Sequence, residues 1–542
     1  MNARSPASAG AILRGALPGL VLATLVLLPF VDKAFTIDDT VFLFEAVHAT
    51  KDPLHPTAFE MAWTHEVQRV SAFVPTGPVT AWLLVPAVLA ENSERAAHVM
   101  QLSMLWLAVI ATVALALRLG LSPAWAAASG LLLGATPAVL GMAGTAMPDV
   151  PAMALSAAGI WQLLAWLQDR RARQAFLAAI LLGLAPLART HLILLFGVGA
   201  LFTAGDVFSL RAWRAAPWSR WLPLMIAPVV SAGVMVLTRD PSPSSVSIAG
   251  AAAGFSTLEH LAPNVLAFAV HWALAFPFTL PWVLLRWRPI LARWSVLFAA
   301  AVVTSVLLYV ARPKGSPWLV PVATLSIAAL VDVLLDALRK RDSTQFTLGI
   351  WLLLALPTAI YLHLPSKYCL ASAPAAAILV ARAMASAPRL GRAVLAATTA
   401  ASVLLGVAIL RADATFAGLG RTAAQTLIAP AVARGHRVWY VGHWGFQWYA
   451  ERAGARFFPV TPPFPRTGDL VVACVNCEPH LWVDEMGELV PLKRVRHRDP
   501  GGRVMDRATG SGFFSNTWGY LPWSWGDSVV DGFDVFRVEH RD

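Results

Sequence analysis

The sequence predicts a polytopic α-helical membrane protein with a small α/β domain at its C-terminal end. Three observations carry this. Hydrophobic residues make up 57% of the 542 and charged residues only 13%, where a soluble chain carries about a quarter. Apolar runs of about 20 residues, long enough to span a bilayer, recur between residues 11 and 410. After Arg411 the runs stop and short, glycine-punctuated elements follow. Mean hydropathy over the whole chain is +0.62.

The first run, Ala11 to Val31, follows Arg4 and Arg14 and lacks a small-residue cleavage site before Asp32. It reads as a retained first span with a cytoplasmic N-terminus. Residues 32–95 then form a first outer loop. Within it, the apolar stretch 77–90 is too short to cross and contains Pro78 and Pro86, so it is expected as an embedded helix. The strongest inside marker is Gln168 to Arg173, with Arg170, Arg171 and Arg173. Counting from it, spans fall at 96–117, 123–142, 150–167, 174–188, 190–204, 221–238, 263–285, 294–311, 317–335, 346–363, 368–384 and 393–410. With the first, that makes about 13 spans. Arg-bearing loops then lie inside at 211–220, 286–293, 339–341 and 382–392. An odd number puts residues 411–542 outside the plasma membrane, on the face of Asp38.

That terminal part reads as strand, helix, strand: Arg437 to Val441, Trp444 to Arg452, and Gly468 to Ala473. Gly435, Gly442, Gly454 and Gly468 punctuate them. A small extracytoplasmic α/β domain is the expected result.

The same composition excludes several functions. The net charge of +11 sits in loops as the positive-inside rule requires, so no nucleic-acid partner is expected. Three cysteines make no disulfide framework. There is no P-loop, no dinucleotide-type glycine fingerprint and no HExxH. A substrate that arrives by membrane fits this better than a cytosolic nucleotide.

Asp38 and Asp39 sit just beyond the first span, where ionised carboxylates escape the cost of hydrocarbon. They serve either as a general base aimed at an acceptor hydroxyl or as acids capping a helix that opens at Thr40. Asp149, bracketed by Pro148 and Pro151, is either a second site acid or an N-cap. Several cations run against the positive-inside bias on the outer side: Arg189, Arg312, Lys314 and Lys367, with His191 nearby. Arg189 and His191 either make a hairpin turn at the outer surface or supply a cation for a phosphate, with His191 a candidate substrate contact. Arg312, Lys314 and Lys367 either snorkel to the interface or clamp a lipid phosphate. His55, His65 and Glu66 in the first outer loop are candidate substrate contacts, or simply solvated. Cys474 and Cys477, with His480, make half a zinc site, and a local disulfide or two free thiols competes with it.

Five stretches in fixed order complete the pattern: the acid pair after the first span, Phe73 to Thr80, "AMPDVPAMAL" at 146–155, "GLAPLARTHLILL" at 183–195 and "PSKYCLASAPAAAILVA" at 365–381. Over residues 1–410 the chain resembles bacterial membrane glycosyltransferases of the GT-C class, in the branch of protein O-mannosyltransferases and lipid A aminoarabinose transferases. The resemblance implies a GT-C-like fold, a polyprenyl-phosphate sugar donor, an extracytoplasmic site and inversion at the sugar carbon. It gives Asp38 the role of acceptor activation and Asp149 that of the second-loop acid. Asp39 stands where the family usually has Glu, and Arg189 where Lys is commoner. Lys367 and Tyr368 match a basic–Tyr pair before a late span. Some GT-C enzymes hold a divalent metal at such acids and this branch often does not, so metal stays open. The competing class is a transporter or flippase of lipid-linked sugars, which predicts charges in mid-span and symmetric repeats. A non-catalytic scaffold is the third.

Overall fold

The computed structural model describes residues 8–63, 66–74, 76–242, 256–311, 317–459, 462, 464–477 and 489–539. His65, Arg312, Lys314 and His480 lie outside the described residues. Among the described residues, nine helices are long and apolar enough to cross a membrane, or up to eleven if each of two bent pairs is one span. The bent pairs, Pro123–Ala135 with Pro137–Ala143 (56°) and Leu258–Leu274 with Thr279–Ala292 (88°), fall on the expected spans 123–142 and 263–285. The shorter apolar helices Ala172–Ala188 and Thr190–Ala204 fall on two more. Hydropathy therefore located the helical segments, some of which are bent or shorter than a straight crossing.

The breaks have a local cause. Pro137 lacks an N–H and drives the residue before it out of the α region; Thr136 accordingly sits at ψ 123 between the two halves. Pro277 lies in the break of the second pair. Elsewhere the helices begin on side-chain caps: Ser8 accepts from Ala11 N, Ser93 from Ala96 N and Asp342 from Gln345 N. The helix Asp149–Asp169 ends on Arg170 in the left-handed region, φ 57, which turns the chain back sharply.

Small residues let the helices approach. Gly19 and Gly134 each face the other helix's backbone, so a Cβ at either position has no room. The stretch expected to be embedded is the helix Val79–Leu89, only 11 residues long. It is tied to the bundle by Gly77 N donating to Leu187 O at 2.8 Å.

The last long helix, Pro388–Ala423, runs unbroken through residue 410, so the expected domain boundary falls inside it. Beyond lies a five-stranded sheet in the order Arg456–Phe457, Val438–Val441, Leu470–Cys474, Val529–Val538, Leu489–Arg498. The first three strands are parallel, and Val529–Val538 is antiparallel to both its neighbours. The helix Trp444–Arg452 follows the strand Val438–Val441 in sequence, as its pattern predicts. Two pieces of this C-terminal part touch the membrane bundle where it matters. The start of Trp444–Arg452 packs under the turn before Asp38, and Phe513 to Asn516 reach the segment after Ile360.

Candidate functional site

The turn that carries Asp38 is held in a costly conformation. Ile37 has φ 40, which a β-branched residue rarely adopts. Its neighbours fix it. Phe35 N donates to Tyr449 Oη at 2.9 Å, Thr36 Oγ1 to Asp413 at 3.1 Å, and Thr40 Oγ1 to Trp444 O at 2.6 Å. A buried ion pair, Lys33 to Asp413 at 2.7 Å, lies behind.

The two adjacent acids part company here. Asp39 is fully buried, and its oxygens accept from Thr36 N at 2.9 Å and Ala146 N at 2.7 Å. Burial pushes its carboxyl up to about 7, against the pull of Lys33. Asp38 occupies the N-cap position of the helix Asp39–Ala49 yet makes no capping bond. Its carboxylate instead accepts from Lys367 Nζ at 2.7 Å, with its side chain 31% exposed and that of Lys367 2%. Burial opposes ionisation of Asp38, but the Lys367 ammonium outweighs it and holds the carboxyl below the usual range.

Asp149 and Arg189 meet through a helical hairpin. Asp149 opens one helix, Arg170 and Arg171 turn the chain, and Arg189 closes the next, so both arrive at the same end. Arg189 binds Asp149 in bidentate fashion, at 2.9 and 2.6 Å. Its guanidinium lies 5.3 Å from the centre of the Tyr368 ring. Asp149 stands at the first residue of its helix rather than at the cap, and spends its charge on Arg189.

Tyr368 joins the two pairs. It follows Lys367 in the short helix Ser366–Ser372, and its ring centre is 5.7 Å from that of His191. Tyr361 and His363 complete an aromatic group at 6.3 and 5.8 Å from Tyr368. His363 Nδ1 pairs with Ser515 Oγ at 2.9 Å, and burial followed by the Lys367 charge pushes its pKa down to about 3. It is therefore neutral at pH 7.

A cavity of about 280 Å³ opens here, with Thr76, Arg189, His191, Tyr361 and Tyr368 in its wall. Thr76 and Thr190 also belong to the wall of a larger groove of about 640 Å³, whose apolar sides include Pro186, Phe196, Pro228 and Met235. Arg239 and Asp240 sit in the same groove wall, and Asp240 is clamped by Arg69 at 2.7 and 2.9 Å.

Two candidates lie apart. His55 pairs locally with Asp52 at 2.9 Å, and Glu66 is exposed on the strand Glu66–Arg69, where Gln68 bonds it at 3.2 Å. Cys474 and Cys477 are joined as a disulfide, with the Asp531 carboxylate 3.5 Å from Cys474 Sγ. The acids of the central site do not form a divalent-ion cradle, which needs clustered oxygen ligands. Asp38 and Asp149 are each neutralised by a cation of their own.

Sequence reading missed His363 and Tyr361. Both lie within seven residues of Tyr368, in Tyr361 to Tyr368. Two ring residues crowding a Lys–Tyr pair were the available signal. The partner of each acid was not legible, because pairing across 329 positions is a property of packing.

No family model matches the chain, and no curated protein matches it. Among solved structures, the chain is similar to ArnT, a lipid A aminoarabinose transferase, of Cupriavidus metallidurans bound to undecaprenyl phosphate. Identity is 18%, coverage is 90% of this chain and 97% of that one, and the TM-score is 0.49. The apo state of the same protein gives 16% identity, 86% and 93% coverage, and a TM-score of 0.43. The oligosaccharyltransferase of Archaeoglobus fulgidus in its apo form gives 12%, 84% and 64%, and 0.44. Both proteins are GT-C glycosyltransferases, the class that the sequence motifs resemble. At these identities and TM-scores the likeness is one of helix arrangement and does not extend to chemistry.

Proposed function

We propose that this chain is a membrane glycosyltransferase that moves a sugar from a polyprenyl-phosphate donor to an acceptor hydroxyl on the extracytoplasmic face. One observation carries the reading: Arg189 and Tyr368 line a small cavity that shares Thr76 and Thr190 with an apolar groove, and behind them stand the ion pairs Asp149–Arg189 and, through Lys367 next to Tyr368, Asp38–Lys367. The groove suits a polyprenyl chain and the cavity a phosphate-linked sugar. Asp38 is the acid that a substrate reaches, and Asp39 holds the turn.

In the mechanism, the acceptor oxygen attacks the anomeric carbon and its proton passes to Asp38. The bond from that carbon to the phosphate oxygen breaks, and the lipid phosphate leaves with the electron pair. Attack from the opposite side inverts the sugar carbon. Lys367 and Arg189 offset the charge on the leaving phosphate. Lys367 rests on Asp38. An arriving phosphate draws Lys367 away, which frees the carboxylate and raises its basicity at the moment a base is needed. Arg189 can face phosphate with its planar fork while Asp149 keeps it oriented.

The test uses the purified full chain with a panel of undecaprenyl-phosphate sugars and a cell-envelope lipid extract as acceptor. Donor-dependent release of undecaprenyl phosphate, abolished by Asp38→Asn, is expected. Movement of a labelled lipid-linked sugar between leaflets of a vesicle, with no sugar transfer, would favour the flippase reading instead.

A further inference from the structure

The segment that presents Lys367 and Tyr368 is not held by the membrane helices alone. Between Ile360 and Ser366 the backbone leaves regular helix, so its N–H and C=O groups need partners from elsewhere. Asn516, in the C-terminal part of the chain, supplies one of them and holds Asn264, which supplies others. Its Oδ1 accepts from Leu364 N at 2.8 Å, and its Nδ2 donates to Asn264 Oδ1, also at 2.8 Å. Asn264 in turn donates to Ala359 O at 2.9 Å and to Tyr361 O at 2.7 Å. The carbonyl of Leu364 is taken by His271 Nε2 at 3.0 Å. On either side, Ser515 Oγ meets His363 Nδ1 at 2.9 Å, and Ser366 Oγ donates to Phe513 O at 3.2 Å. Asn264 and Asn516 are 1% and 8% exposed, so water does not substitute for these bonds.

We infer that Asn516 is a positioning residue: it clamps the Tyr361–Tyr368 segment from the C-terminal domain and thereby sets Lys367 against Asp38 and Tyr368 against Arg189. The inference rests on the reading of Lys367 and Arg189 as the phosphate-binding cations. It gives the C-terminal domain a part in the site itself, because the cations are aimed only while that domain is docked. An asparagine suits the position because it accepts and donates at once. Alanine leaves Leu364 N and Asn264 Oδ1 without partners.

The experiment compares the full-length wild type, Asn516→Ala and Arg496→Ala in detergent. Arg496 pairs with Asp534 at 2.6 and 2.8 Å across the sheet, so its loss loosens the same domain without touching the clamp. Hydrogen–deuterium exchange of the Tyr361–Tyr368 amides and the affinity for undecaprenyl phosphate are both measured. Asn516→Ala is expected to speed exchange at Leu364 to Tyr368 and to weaken lipid-phosphate binding ten- to a hundredfold, as misplaced binding groups do. Arg496→Ala is expected to leave both near wild type. Unchanged exchange in that segment overturns the clamp whether or not any ligand binds. Faster exchange with undiminished binding, or equal losses in both variants, also overturns it. Faster exchange confined to Asn516→Ala, in a protein whose wild type does not bind the lipid phosphate, keeps the clamp and sinks the reading of the cations.

Discussion

Lys367 Nζ lies 2.7 Å from Asp38 Oδ2, and the two residues are 329 positions apart in the chain. The pair ties the turn after the first apolar helix to a late short helix and places the partly exposed acid beside a nearly buried cation. Removing the acid costs no capping bond but leaves the nearly buried Lys367 without its counter-charge. Asp38→Asn is expected to lower the transfer rate on the order of 10²–10⁴-fold and to lower the melting temperature as well, so the rate is compared below the variant's melting transition. A steady-state rate with undecaprenyl-phosphate sugars, together with a melting curve, decides it.

Arg189 and Asp149 behave differently, because both are nearly buried, at 12% and 1% side-chain exposure. Arg189→Ala leaves an unpaired buried carboxylate and is expected to destabilise by about 3–5 kcal/mol. Arg189→Ala combined with Asp149→Asn should recover part of that loss in a thermal melt without restoring transfer. Recovery of activity in the double variant would show that the pair is structural only.

Gly445 touches the site through its lack of a side chain. It begins the helix Trp444–Arg452 against the carbonyl oxygen of Phe35, where a Cβ has no room. Gly445→Ala should push the strained turn at Ile37 and move Asp38 off Lys367. The expected result is a fall of tenfold or more in transfer, by the steep dependence of rate on alignment, with the C-terminal sheet intact by proteolysis.

Two buried acids outside the crossing helices set a pH dependence of stability. Burial raises Asp39 and Asp531 to about 7 from an unfolded value near 3.8. Each binds its proton more tightly when folded, so its stabilisation is full below about pH 4 and is lost as pH rises through 7. The contribution of these two acids to the melting temperature should therefore fall between pH 5 and pH 8, against the opposite contribution of His363, whose neutral buried form is favoured as pH rises toward 6.5. Asp531→Asn should flatten part of that fall. Its amide oxygen can still accept from Asn476 N and Gly532 N, which both bond to Oδ1 in the wild type. An unchanged slope in this variant would remove Asp531 from the account.

Much of this protein was legible in one dimension because a bilayer reads sequence directly. A backbone in hydrocarbon must satisfy its own hydrogen bonds, so an apolar run of sufficient length becomes helix wherever it falls. The helices over the expected spans, the short apolar helix Val79–Leu89 and the helix Trp444–Arg452 follow from that and from turn chemistry. Asp38, Asp149, Arg189 and Lys367 stood out because charge at a membrane boundary needs a reason, and Tyr368 through the family resemblance alone. Which of two adjacent acids stays exposed was a different matter. It depended on Ala146 and Thr36 offering their N–H groups to Asp39, and on Lys367 arriving from far along the chain. Nor could local pattern show that Asn516 holds the Leu364 backbone, for a hydrogen bond between distant segments exists only once packing has brought donor and acceptor within 3 Å. Composition and periodicity decided where the helices are; side-chain partners chosen in three dimensions decided what they hold.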